Sequence, residues 1–585
     1  MLTTIKPKKK TLILYLIIPV LMFVFTVFVP LVTALVYSFF EWKGGPMKTF
    51  NGLANYKQLI QDTTFWQSFG HNIYLVIACI IGQIGIAFIL VLMVNAKSTK
   101  LKGIHRTFGF FPSTIAAVCI GLIWNMIYHN KYGLINWFLK AIGRKDLCQV
   151  WLNNSKIVML CVTIPLIWQF IGYYMVIILS AISSIDSEIF ESAQIDGANG
   201  VQTAWYITLP LIKNTMLVCI TLCVAGNMKA FDNIYVMTKG GPGTASMVMA
   251  MYGYQVSFSQ SNMGYGSCIS VAIFVLSLLV IGGSQGLIKY LTRERRHKIM
   301  NTNAPKTHKV RKGVAAVVMN VILIILSLSC IFPIVWMAYS SLKEKRVFNA
   351  DIMGLPKNPT LINYIKILSN KDYHLGESML NSVRTTGLSI ILIILFSFIV
   401  GYILARVHFK LNRVLYVMFL MGMLIPIHSL LVPIYVVFQR CGINNRWFTL
   451  LLPYVSFGLP MGIFLVEGYV KTIPVSLEEA AAIDGSNFTH TLWTIILPIC
   501  RPILTTVAII QVFSCWNEFS FALVLIKDVS LQTVPLALTQ FKGQFASDYP
   551  KQMAAMLITM APVVVLYFAF SKEIIKGMVS GAVKG

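Results

Sequence analysis

Few residues in this chain have the type and spacing to do chemistry, and those few do not assemble into a catalyst. His71, His105, His129, His428 and His490 form no i, i+4 pair, the spacing that sets two imidazoles on one helical face for a metal; they read as interfacial or loop residues. Cysteines such as Cys79, Cys119, Cys219, Cys223 and Cys515 lie in apolar stretches with no Cys-x-x-Cys pair, so they read as small core residues and supply no metal or redox ligand set. No G-x-x-x-x-G-K-[ST] occurs, and Gly240-Gly-Pro-Gly243 lacks the lysine that would reach phosphates. That run reads either as an ordinary turn or as an outward loop that touches a partner. No catalytic residue, metal or cofactor is expected in this chain.

The titratable residues that do form a pattern are acidic. Asp186, Glu188, Glu191 and Asp196 crowd one short stretch, and Glu478, Glu479 and Asp484 another. The two stretches are copies. Glu191-Ser-Ala-Gln-Ile-Asp-Gly-Ala-Asn199 runs on to Trp205, Ile207, Leu209 and Pro210, and Glu479-Ala-Ala-Ala-Ile-Asp-Gly-Ser-Asn487 to Trp493, Ile495, Leu497 and Pro498. Eleven of twenty aligned positions are identical without a gap, where chance supplies about one, so the chain carries an internal duplication. Each copy predicts a short helix, a left-handed turn at Gly197 or Gly485, and a second segment meeting the next helix at Leu-Pro, since proline is tolerated in a first turn. The local acidity suits a basic partner surface.

The elements that hold these loops are membrane helices. Of 585 residues, 57% are hydrophobic and 12% charged, with a mean hydropathy of +0.73, far from the roughly 25% charged usage of a soluble domain. Apolar runs near 12–38, 72–95, 106–128, 157–182, 210–230 and 268–290, then 313–339, 382–405, 413–438, 448–470, 500–525 and 553–571, are long enough to cross roughly 30 Å of hydrocarbon. Without water to satisfy the backbone they must be helical. The expectation is an all-α polytopic membrane protein of about twelve transmembrane helices in two six-helix pseudo-symmetric halves: 1–291 with its loop at 183–210, a cytosolic linker at 292–312, and 313–585 with its loop at 471–498. Asn55-Tyr56 matches Asn363-Tyr364, and Asn72 matches Asn381, each early in its half. Two parallel repeats present the same loop to one side only after an even number of crossings, which six satisfies.

The net charge of +27 does not point to nucleic acid, because the basic residues flank the spans, as at Lys6 to Lys10, Lys97 to Arg106 and Arg293 to Lys312. That pattern orients a membrane protein, with both termini, the linker and both loops in the cytosol. Lys343, Lys345 and Arg346 oppose it, falling on the side expected to be outside. The first apolar run is too long for a secretory signal, contains Pro19 and Pro30 and lacks a small-residue cleavage site, so it is expected to remain as the first span.

The repeated pattern, Glu-Ala-Ala with Gly four residues after the second alanine and Pro thirteen beyond that Gly, resembles the cytoplasmic loop of ABC importer permeases, especially the maltose-type sugar family. Ser192 and Ser486 stand where alanine is usual, a small-for-small change. Phe231 to Pro242 is similar to the outer end of the fifth span of the larger subunit of such pairs, and Gly581 to Gly585 to the carboxyl terminus of the smaller, so the resemblance covers nearly the whole chain as two subunits joined end to end. It implies coupling helices that dock on two separate ABC ATPase subunits through Glu191, Ala193, Asp196 and Gly197 in the first half and Glu479, Ala480, Ala481, Asp484 and Gly485 in the second. It also implies MgATP bound by those partners, an extracytoplasmic solute-binding protein, a small sugar as cargo, and a place in the cytoplasmic membrane of a prokaryote.

Polar residues inside spans are costly and therefore candidates for the path. Trp168, Gln169 and Asn227 in the first half, and Trp516 and Asn517 in the second, could offer hydrogen bonds and an aromatic face to a sugar. Helix bridging or snorkelling is the competing reading, above all for Lys229 and Glu518. The rival function is a carrier driven by a proton or sodium gradient. Such carriers need ionisable groups deep in their spans, which are nearly absent here, and 95–106 lacks the G-x-x-x-D-R-x-G pattern of one large carrier group.

Overall fold

A computed structural model describes residues 7–96, 98–298, 312–370, 373–544 and 548–582. Most of the expected linker, at 299–311, lies outside the described residues, as do Lys6, Lys97 and 583–585. Among the described residues, nine continuous helices are long and apolar enough to cross a membrane: Lys9–Tyr37, Thr63–Asn95, Val158–Ser183, Met263–Gly286, Ala316–Ser341, Leu375–Arg406, Leu451–Val470, Phe488–Trp516 and Tyr549–Ser571. Three more spans are bent pairs, Lys102–Thr114 with Ala117–Ile127, Gly200–Leu211 with Lys213–Met228, and Asn412–Leu424 with Ile427–Arg440. Counting each pair once makes twelve, in the places the apolar runs predict.

The bends have local causes. The ninth span turns by 98° at Ile425-Pro426, where a proline removes a ladder hydrogen bond and its ring displaces the preceding turn, and the third turns by 100° at Ile115-Ala116, directly after the 3-10 turn Phe111–Thr114 that carries Pro112. The fifth span bends by 77° near Ile212, while the eleventh runs through the same register unbroken although both carry Leu-Pro. Proline alone therefore does not set that bend. The fifth helix stops at Met228 and the eleventh at Trp516, each followed by a six-residue helix, Asp232–Met237 or Ser520–Leu525. The eleventh span thus begins and ends earlier than its apolar run, 500–525, suggests.

The chain packs as two compact units that are not its contiguous halves. One holds residues 1–62, 253–274 and 368–541, the other 63–252, 275–367 and 542–585. In the first unit the first span lies against second-half helices: Phe23 meets Phe419 with ring centroids 4.8 Å apart, Ser456 donates to the Met22 carbonyl at 3.1 Å, and the Trp493 indole donates to the Tyr15 hydroxyl at 3.2 Å. In the second unit the second half's first span joins first-half helices, with His105 Nδ1 at 2.7 Å from Ser327 Oγ. Tyr567 of the last span donates to the Thr107 carbonyl at 2.7 Å. The stripe that each half's first span buries is therefore complementary to the other half's helices.

The Asn-Tyr repeat has a structural meaning in both units. The Asn55 amide donates to the carbonyls of Ser38 (2.8 Å) and Phe40 (2.9 Å), and Tyr56 O–H lies 2.7 Å from Ser38 Oγ. Asn363 donates to Ser341 (2.7 Å) and Lys343 (2.8 Å), with Tyr364 O–H 2.7 Å from Ser341 Oγ. Each pair staples the end of a first span where its last carbonyls lose their helical partners. Lys343 is itself buried, its ammonium donating to the carbonyls of Asp351 (3.1 Å) and Ile352 (3.4 Å). Burial pushes its pKa down, with the Asp351 charge opposing. This lysine is a fixture of its own loop, held by the carbonyls of Asp351 and Ile352.

Replacing Asn363 by Ala leaves two carbonyls without that donor and is expected to cost ~1–3 kcal/mol, as is Asn55→Ala. The staples share no partner, so the double variant should lose the sum. Thermal unfolding of the purified protein checks this, and unchanged midpoints in both single variants would overturn it.

Candidate coupling loops and solute path

The two copied loops share the hydrogen bonds of their turn and of the cap that follows it. Ser187–Ile195 and Ser476–Ile483 are the short helices. Each ends at a glycine with φ of +80°, a conformation that costs a side chain but not glycine. Gly197 N–H donates to Gln194 (3.1 Å) and Ala198 N–H to Ala193 (2.9 Å); Gly485 donates to Ala482 (3.1 Å) and Ser486 to Ala481 (2.9 Å). This is the Schellman arrangement, which satisfies the last carbonyls of a helix. Asn199 and Asn487 then cap the next helix, each accepting at 2.9 Å from the backbone N–H three residues on. Six π-helical residues follow in both, Thr203–Thr208 and Thr491–Ile496, immediately before Leu-Pro. A widened turn accommodates a proline ring that would collide with a regular ladder.

Of the residues expected to couple, Glu191, Asp196, Gly197, Ala480, Asp484 and Gly485 are exposed and Glu479 half-buried, while Ala193 and Ala481 face inward at the same register. Sequence reasoning passed over the isoleucine before each Asp-Gly. Ile195 and Ile483 are 86% and 78% exposed, apolar tips on otherwise acidic loops. Their identity in both copies was the available signal.

The copies differ in how firmly they are held. Glu478, expected to add to the outward acidity, turns inward. Its carboxylate accepts from Arg406 Nε at 2.7 Å and from the Tyr402 hydroxyl at 3.1 Å, with side chains only 10% (Arg406) and 5% (Glu478) exposed. Arg406 also donates to the Ile473 carbonyl. Phe488, in the loop's second helix, packs between Tyr15 and Tyr402, and Trp493 packs on Phe398. In the first half Phe190 stands at the register of Glu478 and Gly200 at that of Phe488. There Val201, Trp205 and Tyr206 are exposed.

The second unit brings Trp168, Gln169 and Asn227 into one polar band. Trp168 is half-buried, edge-on to Trp124 with centroids 6.0 Å apart, and its indole N–H lies 3.3 Å from the Ser329 carbonyl. Gln169 and Asn227 are buried. Their amide nitrogens donate to the carbonyls of Ile115 (3.1 Å) and Cys223 (2.8 Å), while Asn72 donates to the Asn227 carbonyl at 3.0 Å and Asn233 to Gln169 Oε1 at 3.3 Å. Most of these bonds join one helix to another. Trp516 and Asn517 belong to the other unit, at the end of the eleventh helix. Glu518 accepts from the N–H groups of Phe521 (2.7 Å) and Ala522 (3.4 Å), a carboxylate at a helix N-terminus. Lys229 occupies the C-cap position of the fifth helix, the end that favours a cation. The Gly240 run is a tight turn closed by Ser246, whose hydroxyl donates to the Gly241 carbonyl at 2.7 Å.

Comparison with known proteins matches the sequence to the binding-protein-dependent transport system inner membrane component family at residues 84–296 and again at 397–578. A putative ABC transporter permease protein of Caldicellulosiruptor sp. is 36% identical over 254 residues, 43% of this chain and 91% of that protein. A probable starch degradation products transport system permease protein of Thermoanaerobacterium thermosulfurigenes is 34% identical, covering 45% of this chain and 94% of its own length. The trehalose/maltose transport system permease protein of Thermococcus litoralis is 32% identical with the same coverages. Each relative is matched almost end to end by less than half of this chain.

Arg406→Ala leaves a buried carboxylate without its cation and is expected to cost about 3–5 kcal/mol. Glu478→Gln, which keeps the shape and removes the opposite charge, isolates Arg406 in the same way. Thermal unfolding of both variants beside the double Arg406→Leu, Glu478→Leu protein measures this, and a double variant no more stable than the singles would show that the pair is not coupled.

Proposed function

The chain belongs to the binding-protein-dependent transport system inner membrane component family, carrying two of its domains in tandem as a multi-pass membrane protein, and from that premise we propose that it is the permease of an ATP-driven sugar importer. In this reading an extracytoplasmic binding protein delivers a sugar or oligosaccharide. Two separate ABC ATPase subunits, which hold the MgATP, dock on the loops 183–210 and 471–498. Nucleotide-driven approach and separation of those subunits shifts the permease between outward and inward states. The observation that carries the proposal is the coincidence of the two loops, down to the glycine φ of +80° and the paired hydrogen bonds. Two identical rigid turns on one chain suit two copies of one partner.

The dock combines an apolar tip, Ile195 or Ile483, with the carboxylates of Glu191 and Asp196 or Glu479 and Asp484. An apolar anchor inside a charged rim is how protein interfaces concentrate binding energy. Cytosolic placement of both termini and both loops follows from the basic flanks, with Lys343 held inside its own loop. The sugar assignment rests on the named cargoes of the relatives. Trp168, with its half-buried ring, offers a sugar face, while Gln169 and Asn227 set the geometry of the fourth and fifth spans beside it. Nothing in this reading calls for nucleic acid. A gradient-driven carrier is disfavoured because Glu467, a buried carboxylate in the tenth span, is paired with Lys471 at the helix end.

Ile195→Asp with Ile483→Asp should abolish co-purification of the ATPase subunits and uptake while leaving membrane insertion intact. Gly485→Val should do the same by forcing a branched residue to φ +80°. Truncating Glu191 and Glu479 should weaken recruitment by about 2–5 kcal/mol if each pairs at a partly buried contact. Wild-type uptake by a Gly485→Pro variant would sink the coupling role.

A further inference from the structure

A cavity of about 300 Å³ opens in the second unit where the third span ends, the loop before the fourth span passes, and the last span begins. Its walls include Asn125, Tyr128, His129, Leu152, Tyr549 and Gln552, and none of its lining residues is Lys, Arg, Asp or Glu. The volume is at the lower end of small-ligand sites. In the orientation proposed above, this is the extracytoplasmic end of these helices.

The polar groups on its wall are unspent. Gln552 is 6% exposed and faces the cavity, and its side-chain amide makes no hydrogen bond among the described residues; Tyr128, also on the wall, has a buried hydroxyl with no partner among the described residues. An amide so enclosed is costly unless something in the cavity pairs with it. Asn125 donates to the Val236 carbonyl at 3.1 Å, which leaves its Oδ1 open as an acceptor. His129 Nδ1 accepts from the backbone N–H groups of Lys131 (3.2 Å) and Tyr132 (3.0 Å), so in the neutral ring the proton sits on Nε2, a donor without a described partner. Burial holds this imidazole's pKa below its ordinary value, which keeps it neutral. Tyr549 stands edge-on to His129 with centroids 5.2 Å apart, giving the cavity an aromatic wall beside its amides.

From these groups we infer that this cavity is a binding subsite for one neutral sugar ring, an outer station that engages cargo at the mouth of the permease. A sugar ring presents adjacent hydroxyls that donate and accept together and an apolar face of C–H groups. The wall offers amides that do both, a fixed imidazole donor and aromatic rings. An anionic sugar acid would find no cation, and an apolar molecule would leave Gln552 and Asn125 unpaired. The inference deepens the importer reading and rests on it for the cargo class and for which end is outside.

The test uses the full chain in nanodiscs prepared without maltoside detergent, whose headgroup would compete. Backbone hydrogen exchange across 117–130 and 549–556 is followed with glucose, maltose and glucuronate at millimolar levels. Glucose or maltose should protect both segments and glucuronate neither. Gln552→Leu and, independently, Asn125→Leu should each weaken protection by about tenfold in sugar concentration. Absence of protection by both neutral sugars makes the cavity a water-filled vestibule and overturns the proposal, as does protection unchanged in both variants. Protection by phospholipid alone, insensitive to sugar, also overturns it by assigning the cavity to a headgroup. Sugar-stimulated ATP hydrolysis by the assembled transporter without protection here would sink the subsite and leave the importer standing. Protection without any ATPase recruitment would do the reverse.

Discussion

A backbone in hydrocarbon has no water to bond, so every interruption of a helix must be satisfied by the protein itself. The interruptions in this chain obey that constraint one by one. Asn55 and Asn363 take the carbonyls that follow the first spans. Glu518 takes the N–H groups that open the short helix after the eleventh. The two Asp-Gly turns close on their own helices before Asn199 and Asn487 start the next. The polar residues of this apolar chain are concentrated where the backbone changes direction, and that is also where its surfaces for partners lie.

The two copied loops show how a duplication diverges without losing its geometry. The turn is unchanged because only glycine sits comfortably at φ +80°. The support beneath it has changed. In the second half an ion pair and two aromatic residues bind the loop to the helices behind it, whereas the first half places Phe190 and Gly200 at those positions. A buried ion pair adds little net stability over apolar packing, but breaking one side of it is expensive. The first loop, without that pair, keeps a larger exposed apolar surface around Trp205 and Tyr206.

The packing of the first spans has a comparable logic. The first half's first span is buried with second-half helices, and the second half's first span with first-half helices and with the last span of its own half. A half made alone would leave exposed the surface that receives the exchanged span. Joining both in one chain places the two exchange partners at an effective concentration set by the linker rather than by expression level.

Composition, run length and the duplicated Glu-to-Pro stretch determined the membrane class, the twelve spans, the tandem repeat and the family, because those depend on transfer of apolar surface and on local backbone rules that each residue carries by itself. Gly197, Gly485 and the prolines were legible for the same reason. The exchange of first spans was not, since an apolar stripe specifies that it must be covered and not by which neighbour. Nor was the inward turn of Glu478: its partner Arg406 is 72 positions away, and a carboxylate beside another carboxylate reads as solvated until a cation is brought over it. Asn227 and Gln169 share that ambiguity, because an amide in a span can bridge helices or face a solute with the same residue type. Only tertiary structure, which decides the nearest acceptor, assigned their hydrogen bonds and left the Gln552 side chain without one among the described residues.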